Sequence, residues 1–498
     1  MDKKIKLLLV YANLPMDNVI PVGISSLIAS VRHPNIEVTL FDTTFYRTRA
    51  KTSDEERVKL LQVAPFNYAD FGVGFKPATV ESDFEKLLAE KQFDLVGISM
   101  VEATYELSCR LAAIAKRFSL PVIAGGILAI LDPEFVLRDD RFDMVCVGEG
   151  ERCLKAVCLA LLRGDTLEGI DNLWYKDRGT IRRNKLELLS LDYVPFLDFS
   201  EYEEGRFYRP MGGTIFRMVP VEFSRGCPFN CSYCADHALR ARFAGVGRWL
   251  RYKSVNRILS EIKHYLAAYQ VQYFYFVSET FLAMPDRDFR EFVDGYRNIK
   301  VKFWCNTRPE TITEEKISLL KEIGCHRMSI GIENGNEKFR KTVLRRGGAT
   351  NDQIVEACAI VERHGIPFSV NNIIGFPEET RDIIFDTIKL NRRINADSYG
   401  AYMFMPYRGT DIFHYCVAKG YIRSDNLSGD VHIDSALNNP YITNEELMGL
   451  LRTFVLYVKL PELYYPEIAR AEKFDDAGNA AFERLSRIYW EQFSSRRR

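Results

Sequence analysis

Short apolar runs alternate with helical patterns twice along this chain, and that double alternation constrains its fold more than any other feature. In the first round, Ile5 to Tyr11, Glu37 to Phe41, Leu95 to Ser99, Pro121 to Ala124 and Met144 to Val147 read as strands, with helix-like segments such as Tyr105 to Phe118 between several of them. Strand runs separated by helices predict a parallel, doubly wound sheet that binds ligands beyond the C-terminal ends of its strands. The second round begins near Val221, with strand candidates at Val221 to Ser224, Tyr273 to Val277, Lys302 to Cys305, Arg327 to Ile332, Phe368 to Ile373 and Tyr399 to Phe404. Asn256 to Tyr269 is one intervening helix, and another starts at Thr350, where Thr350-Asn-Asp-Gln353 has the pattern of a capping box. Six strand–helix units fall short of a closed eightfold barrel, so a partial (β/α)6 barrel with its site at the strand C-termini is expected.

The fold class is thus α/β, in four parts: a doubly wound Rossmann-like domain over residues 1–165, a linker over 166–215, the partial barrel over 216–420, and a small helical C-terminal cap over 421–498. Within the first part, residues 46–91 are charged and partly helical and read as an insertion. The length of 498 residues suits about three packed units. With 67 basic and 67 acidic residues the chain has no overall field, so neither nucleic acid nor an anionic membrane is an expected partner. The one dense basic run, Arg496 to Arg498, reads as a solvated tail. Eleven cysteines, an odd number in so long a chain, fit reduced thiols in a cytoplasmic protein better than a disulfide scaffold. The apolar run Leu7 to Tyr11 is too short for a signal peptide and reads as the first strand, and no stretch approaches the roughly 20 apolar residues of a membrane span.

Chemistry concentrates in Ser224-Arg-Gly-Cys227-Pro-Phe-Asn-Cys231-Ser-Tyr-Cys234, three cysteines spaced C-x3-C-x2-C directly after a strand. Thiolates are the usual ligands of iron–sulfur clusters, and three of them leave one iron of a cubane open for a chelating cosubstrate. The competing reading is a structural zinc site with His237 as fourth ligand. Its weakness is spacing, because zinc knuckles usually lie far apart and these candidates fall within a few residues.

The C-x3-C-x2-C loop after the first strand of a partial barrel, with aromatic Tyr233 before the last cysteine, resembles the radical S-adenosylmethionine (SAM) superfamily. The resemblance implies a 4Fe-4S cluster on Cys227, Cys231 and Cys234, whose open iron binds the amino and carboxylate groups of SAM. One-electron reduction, by an external donor such as flavodoxin or ferredoxin, then releases a 5′-deoxyadenosyl radical. Further motifs match in order. Val277-Ser278-Glu279-Thr280-Phe281 resembles the acidic segment that receives the SAM amino group; Ser278 stands where a second acid is common, leaving Glu279 to carry the charge. Trp304-Cys-Asn306-Thr-Arg308 resembles the third-strand segment, with Arg308 placed to pair with the SAM carboxylate. Gly331-Ile-Glu333-Asn-Gly335 resembles the fourth, with Glu333 facing ribose hydroxyls or a positive centre. Asn372-Ile-Ile-Gly375-Phe-Pro377-Glu378 resembles the fifth, along the adenine, and Pro406 to Thr410 the loop after the sixth. The implied SAM residues are therefore Tyr233, Ser278, Glu279, Thr280, Asn306, Arg308, Glu333, Asn372 and Gly375.

In the N-terminal part, Pro21-Val-Gly23-Ile-Ser-Ser-Leu, Phe93-Asp-Leu-Val-Gly-Ile-Ser99, Ile123-Ala-Gly125-Gly126 and Val147-Gly148-Glu149-Gly150-Glu151 resemble the cobalamin-binding domain of one radical SAM subgroup. Small residues ending parallel strands let a flat macrocycle approach backbone, and Gly148 and Gly150 read as positions where a side chain would clash with it. The implied cobalamin residues are Ser99, Gly125, Gly126, Gly148, Glu149 and Gly150. No Asp-x-His-x-x-Gly loop is present, and the one histidine of the first 165 residues, His33, sits in a His-Pro pair that looks like a turn. Cobalt would then lack a histidine ligand, an arrangement that favours methyl transfer.

The resemblance implies a cobalamin-dependent radical SAM enzyme that methylates an unactivated carbon of a small-molecule or peptide natural product. The alternative is a cyclase, oxidoreductase or rearrangement enzyme of the same fold, with cobalamin used differently or absent. A non-catalytic cobalamin sensor would have no use for the three cysteines. Methylthiolation of transfer RNA is disfavoured, since a second three-cysteine cluster and a basic RNA-binding module are missing. Tyr402, Tyr407 and Cys305 are the candidates for substrate contact, against a simpler reading as core packing.

Overall fold

The computed structural model describes residues 4–429, 431 and 435–493; the basic tail Arg496 to Arg498 lies outside them. The chain divides into two compact units, one of residues 1–53, 68–208 and 238–253, the other of residues 54–67, 209–237 and 254–498.

The first unit is built on strands β1 (Ile5–Tyr11), β2 (Ile36–Asp42), β3 (Leu95–Ser99), β4 (Val122–Gly125), β5 (Met144–Cys146), β6 (Leu173–Asp177) and β7 (Thr180–Arg183). They form one sheet in the order β2-β1-β3-β4-β5-β6-β7. The first five are parallel, as the sequence rhythm predicts. β1 from Leu7 onward and β3 are apolar because both sheet faces are covered: Leu7, Leu8, Val10, Leu95 and Val96 are wholly buried. The last two strands are antiparallel and come from the segment expected to be a linker. Arg178 and Gly179 both take positive φ, 47° and 79°, the backbone that a two-residue hairpin turn requires. His33 is the turn residue its His-Pro pair suggested, with Nδ1 accepting a hydrogen bond from the Asn35 amide at 3.1 Å.

The second unit holds β8 (Tyr208–Met211), β9 (Thr214–Glu222), β10 (Tyr273–Val277), β11 (Lys302–Thr307), β12 (Cys325–Glu333), β13 (Phe368–Ile374) and β14 (Ser398–Met403). Their order is β14-β13-β12-β11-β10-β9-β8. β9 to β14 are parallel and are the six strands of the expected partial barrel; β8 joins through the Gly212-Gly213 turn. Period-two alternation sorts the side chains of β10. Phe274 and Phe276 are fully buried, and Phe276 packs with Phe223, Phe292 and Tyr296, whereas Tyr275 turns to the other face and stacks on Trp304 at 4.1 Å. The capping box at Thr350 forms: Thr350 Oγ1 accepts from the Gln353 amide and Gln353 Oε1 from the Thr350 amide. The C-terminal region is helical, Asn444–Lys459, Tyr465–Ala471 and Asp476–Phe493, and is tied to the barrel by the Arg381–Glu472 ion pair at 2.6 Å.

The insertion expected at 46–91 is split. Residues 54–67 pack into the second unit, where Gln62 Nε2 donates to the carbonyl of Ala401 on edge strand β14 at 2.9 Å. At the opposite edge of the sheet, a Cβ on Gly213 would lie 3.2 Å from the Ala64 side chain. This segment therefore reaches both edges of the open barrel. Among the described residues no helix is long and apolar enough to cross a membrane.

Candidate functional site

The three cysteines lie between β9 and the helix Ala235–Arg242 in a loop held from several sides. The Cys227 amide donates to Asp236 Oδ2 at 2.9 Å and the Cys234 amide to the Cys231 carbonyl at 3.2 Å. Ser232 anchors the middle: its amide donates to the Leu344 carbonyl at 3.1 Å, its hydroxyl to the Val343 carbonyl at 2.7 Å, and its carbonyl accepts from Ile412 at the start of the helix Asp411–Ala418. Cys231 is buried and Cys227 and Cys234 half-buried, and none is in a disulfide. Burial pushes the Cys227 thiol up, and the Cys234 thiol up to about 12. Thiols so placed ionise only beside a compensating cation, which a bound iron would supply, so the donor set fits a cluster. His237, the fourth ligand of the zinc reading, has its Nε2 3.2 Å from Asp411 Oδ2. Among the described residues no three His, Cys, Asp or Glu side chains close on a single-ion position.

Two arginines converge on Cys231. Arg308 Nη1 lies 3.3 Å from its Sγ, while the rest of that guanidinium is fixed by a forked pair with Glu310 (2.7 and 3.2 Å) and by stacking on Phe229 at 3.6 Å. Arg346 Nη1 lies 3.8 Å from the same sulfur. Arg346 is buried, donates to the Gly331 carbonyl, and stands 3.8 Å from Glu333 Oε1. Glu333 has φ 69°, and its carboxylate folds back over Gly331, where a Cβ would lie 2.6 Å from Oε1.

Glu279 is open to water yet surrounded by protein, as at the floor of a concavity. Enclosure and the charges of Asp236 and Glu222 push its carboxyl up to about 7, an arrangement that a ligand ammonium would reverse. Asn306 Nδ2 donates to the Glu279 carbonyl at 3.2 Å and so fixes its backbone, and Thr280 Oγ1 lies 3.7 Å from Cys227 Sγ. Tyr233 packs edge-on against Phe376, ring centroids 5.5 Å apart. Glu279, Thr280, Asn306, Arg308, Glu333 and Tyr233 thus all border the cysteine loop or the charged groups beside it.

Other implied SAM residues are committed elsewhere. Ser278 Oγ shares a 2.8 Å hydrogen bond with Ser224 Oγ and joins two strand ends. Asn372 is buried, donating to Asn391 Oδ1 and to the Gly400 carbonyl, so it locks β13 to β14 and to the helix Arg381–Arg392. Gly375, at φ 84°, offers backbone only, and its amide donates to Glu379 Oε2 at 2.6 Å. Glu379 also accepts from the Phe376 amide and from Asn334 Nδ2, and so clamps the fourth and fifth motifs together. Sequence reasoning passed over Glu379, Arg346, Glu310 and Asp236. The signal for Glu379 was its acidic pair with Glu378; nothing local marks the others. Of the substrate candidates, Tyr407 is 39% exposed, Tyr402 lies beside Asn371 and Gly400, and Cys305 is fully buried with its thiol on that of Cys325, a packing residue.

In the first unit the glycines separate by what surrounds them. A Cβ on Gly125, at the end of β4, or on Gly23 would meet nothing within 4 Å, so the strand edge there is open to a flat ligand. Gly126, at φ 89°, must be glycine because the Met100 carbonyl would lie 2.4 Å from its Cβ. Gly148 and Gly150 are hemmed in by the chain itself, by Asn172 and Phe243 at 3.1 Å and by Leu27 at 2.9 Å, so a side chain at either would already meet protein. Glu149 is spent on Arg251 in a forked ion pair (2.7 and 3.0 Å), and its Oε2 also accepts from the Leu189 amide. Ser99 ends β3 half-buried, its carbonyl accepting from the Ala12 amide. The residues present fit a cobalamin at the Gly23–Ser99–Gly125 edge.

Comparison with known proteins agrees with both halves. The Radical SAM superfamily profile matches residues 221–390 and the B12 binding domain profile residues 17–158. An uncharacterized methyltransferase, PH0819 of Pyrococcus horikoshii, is 27% identical over 421 residues, 82% of this chain and 88% of the relative. The anaerobic magnesium-protoporphyrin IX monomethyl ester cyclase of Synechocystis is 24% identical over 371 residues, 72% of this chain and 70% of the relative. Among solved structures, the fold is similar to the radical SAM methyltransferase TsrM from Kitasatospora setae, with cobalamin and a [4Fe-4S] cluster bound (TM-score 0.63, 15% identity, 84% of this chain and 75% of that one). It is also similar to the cobalamin-dependent radical enzyme OxsB with aqua-cobalamin and SAM bound (TM-score 0.66, 15% identity, 97% of this chain and 71% of that one). A three-cysteine loop on a six-stranded partial barrel, preceded by a cobalamin-type sheet, places the chain among the radical SAM enzymes of the cobalamin-binding-domain subgroup.

Proposed function

We propose that this enzyme holds a 4Fe-4S cluster on Cys227, Cys231 and Cys234, binds SAM beside it and cobalamin at the Gly125 edge, and methylates a carbon of a small-molecule or peptide substrate. The observation that carries the reading is the convergence of Glu279, Arg308, Glu333 and Arg346 on the cysteine loop, in a chain whose strand edge at Gly125 is also open. When bound, the cluster and SAM supply an adenosyl radical and cobalamin carries a methyl group. The chain's own residues do the holding. Glu279 accepts a charge-assisted hydrogen bond from the amino group of SAM, with Asn306 fixing the Glu279 backbone. Arg308 and Arg346 face the carboxylate end, and Glu333, beside Arg346, faces the ribose. An external one-electron donor, flavodoxin or ferredoxin, completes the set.

Turnover with SAM deuterated in its methyl group tests this. The label is expected in the product, with S-adenosylhomocysteine and 5′-deoxyadenosine formed in comparable amounts. Deoxyadenosine without S-adenosylhomocysteine, or an unlabelled product, favours the second reading, a radical cyclase or rearrangement enzyme, for which the similarity to the magnesium-protoporphyrin cyclase speaks.

A further inference from the structure

Next to the cysteine loop lies a segment whose charge stands out from the rest of the chain. Overall, basic and acidic residues balance, but Glu337 to Arg346 holds five basic residues (Lys338, Arg340, Lys341, Arg345, Arg346) and one acid. The helix Glu337–Thr342 and the turn after it are joined to the cluster loop by the two Ser232 hydrogen bonds to Val343 and Leu344. Arg340 and Arg346 are buried, Arg340 bound to the Asn334 and Ala349 carbonyls. Lys338, Lys341 and Arg345 are exposed. Arg345 pairs with Asp411 at 2.6 Å, which also faces His237, and Glu337 Oε1 accepts from the Asn351 amide. Among the described residues Lys338 and Lys341 have no carboxylate in ion-pair range. Pro228 and Asn230 of the cluster loop itself are also exposed.

We infer that this cationic face is the docking surface for the electron donor, an acidic one-electron carrier protein. The inference rests on the cluster reading above. A one-electron step needs the donor close to Cys231, and Val343 is one hydrogen bond from the residue next to it. Opposite charge raises the encounter rate and orients the partner. The carrier loses one electron and the oxidised cluster gains it; no bond forms and no proton moves.

The test uses the cluster-loaded enzyme mixed with a purified, reduced acidic flavodoxin, following cluster bleaching by stopped-flow absorbance. The double variant Lys338→Glu/Lys341→Glu should slow reduction at least tenfold at low ionic strength, with the gap closing as salt is added. Reduction by a small neutral donor, a photogenerated deazaflavin radical, should be unchanged, as should iron content. Lys263→Glu, at an exposed lysine on the helix Val255–Tyr269, is the control for a charge reversal outside this segment and should have no effect. A rate within twofold of the parent, equal slowing by Lys263→Glu, or equal slowing with deazaflavin overturns the inference. Protein that takes up no cluster at all overturns the reading beneath it, and this inference with it.

Discussion

The two units handle a glutamate at a strand end in opposite ways. In the first, Glu149 is consumed by Arg251 and the Leu189 amide, and what the strand edge offers a ligand is the empty space at Gly125. In the second, Glu279 has no arginine in ion-pair range among the described residues and is open to water with its pKa raised, while Arg308 and Arg346 point at a cysteine sulfur. A site for a large flat ligand is made by removing side chains. A site for a small zwitterion and a cluster keeps one carboxyl without a cation, beside cysteines that Arg308, itself paired with Glu310, and Arg346 already face.

The contrast can be broken most decisively at the cysteines. Replacing Cys227, Cys231 and Cys234 by alanine should take iron from about four per chain to none after anaerobic reconstitution, with the helical circular-dichroism spectrum unchanged; retained iron would refute the cluster assignment. Glu149→Ala should cost about 3 kcal/mol of stability, read by denaturant unfolding, because it strands a largely buried Arg251, yet leave SAM affinity alone. Glu279→Ala should do the reverse, weakening SAM binding by about 2 kcal/mol in calorimetry with little effect on folding. If both variants lose stability equally, Glu279 is a structural acid and the contrast fails. Gly125→Phe should fold and yet abolish hydroxocobalamin binding, because its side chain enters empty space; undiminished binding would move the cobalamin elsewhere.

The smallest effect concerns acid stability. Burial and the charges of Lys302, Arg327 and Lys321 push His326 down to about 4, so the folded protein holds it neutral. The unfolded chain protonates it near pH 6.5, so its contribution is intact above that pH and is lost as pH falls toward 4. His326→Gln should flatten this part of the stability profile by about 1 kcal/mol. An unchanged slope would assign the loss to other groups.

Legibility followed the range of the interactions. Both parallel sheets were readable because burial on two faces writes short apolar runs into their strands, as in Leu7 to Val10 and Leu95 to Ile98. The β6–β7 hairpin was missed because its edge strands carry Lys176, Arg182 and Arg183 and lack such a run. Residues 54–67 were misassigned because their partner, Ala401, is more than 300 positions away and leaves no local trace. The cysteines were plain from spacing. The internal hydrogen bonds of Ser278 and Asn372 were not legible, because a motif position fixes where a residue sits on a strand and not which neighbour takes its hydrogen bond. Arg346 was invisible for the same reason: it enters from the turn between two helices.

The reach of residues 54–67 across the open barrel bears on how such chains can be cut and recombined. Anyone isolating the radical half by starting at residue 209 would discard the peptide that caps the Ala401 carbonyl and expose that part of edge strand β14, a surface prone to pairing with other chains. Exchange of the cobalamin half between relatives meets the same obstacle, since a donor sequence must bring a segment shaped for the recipient's barrel.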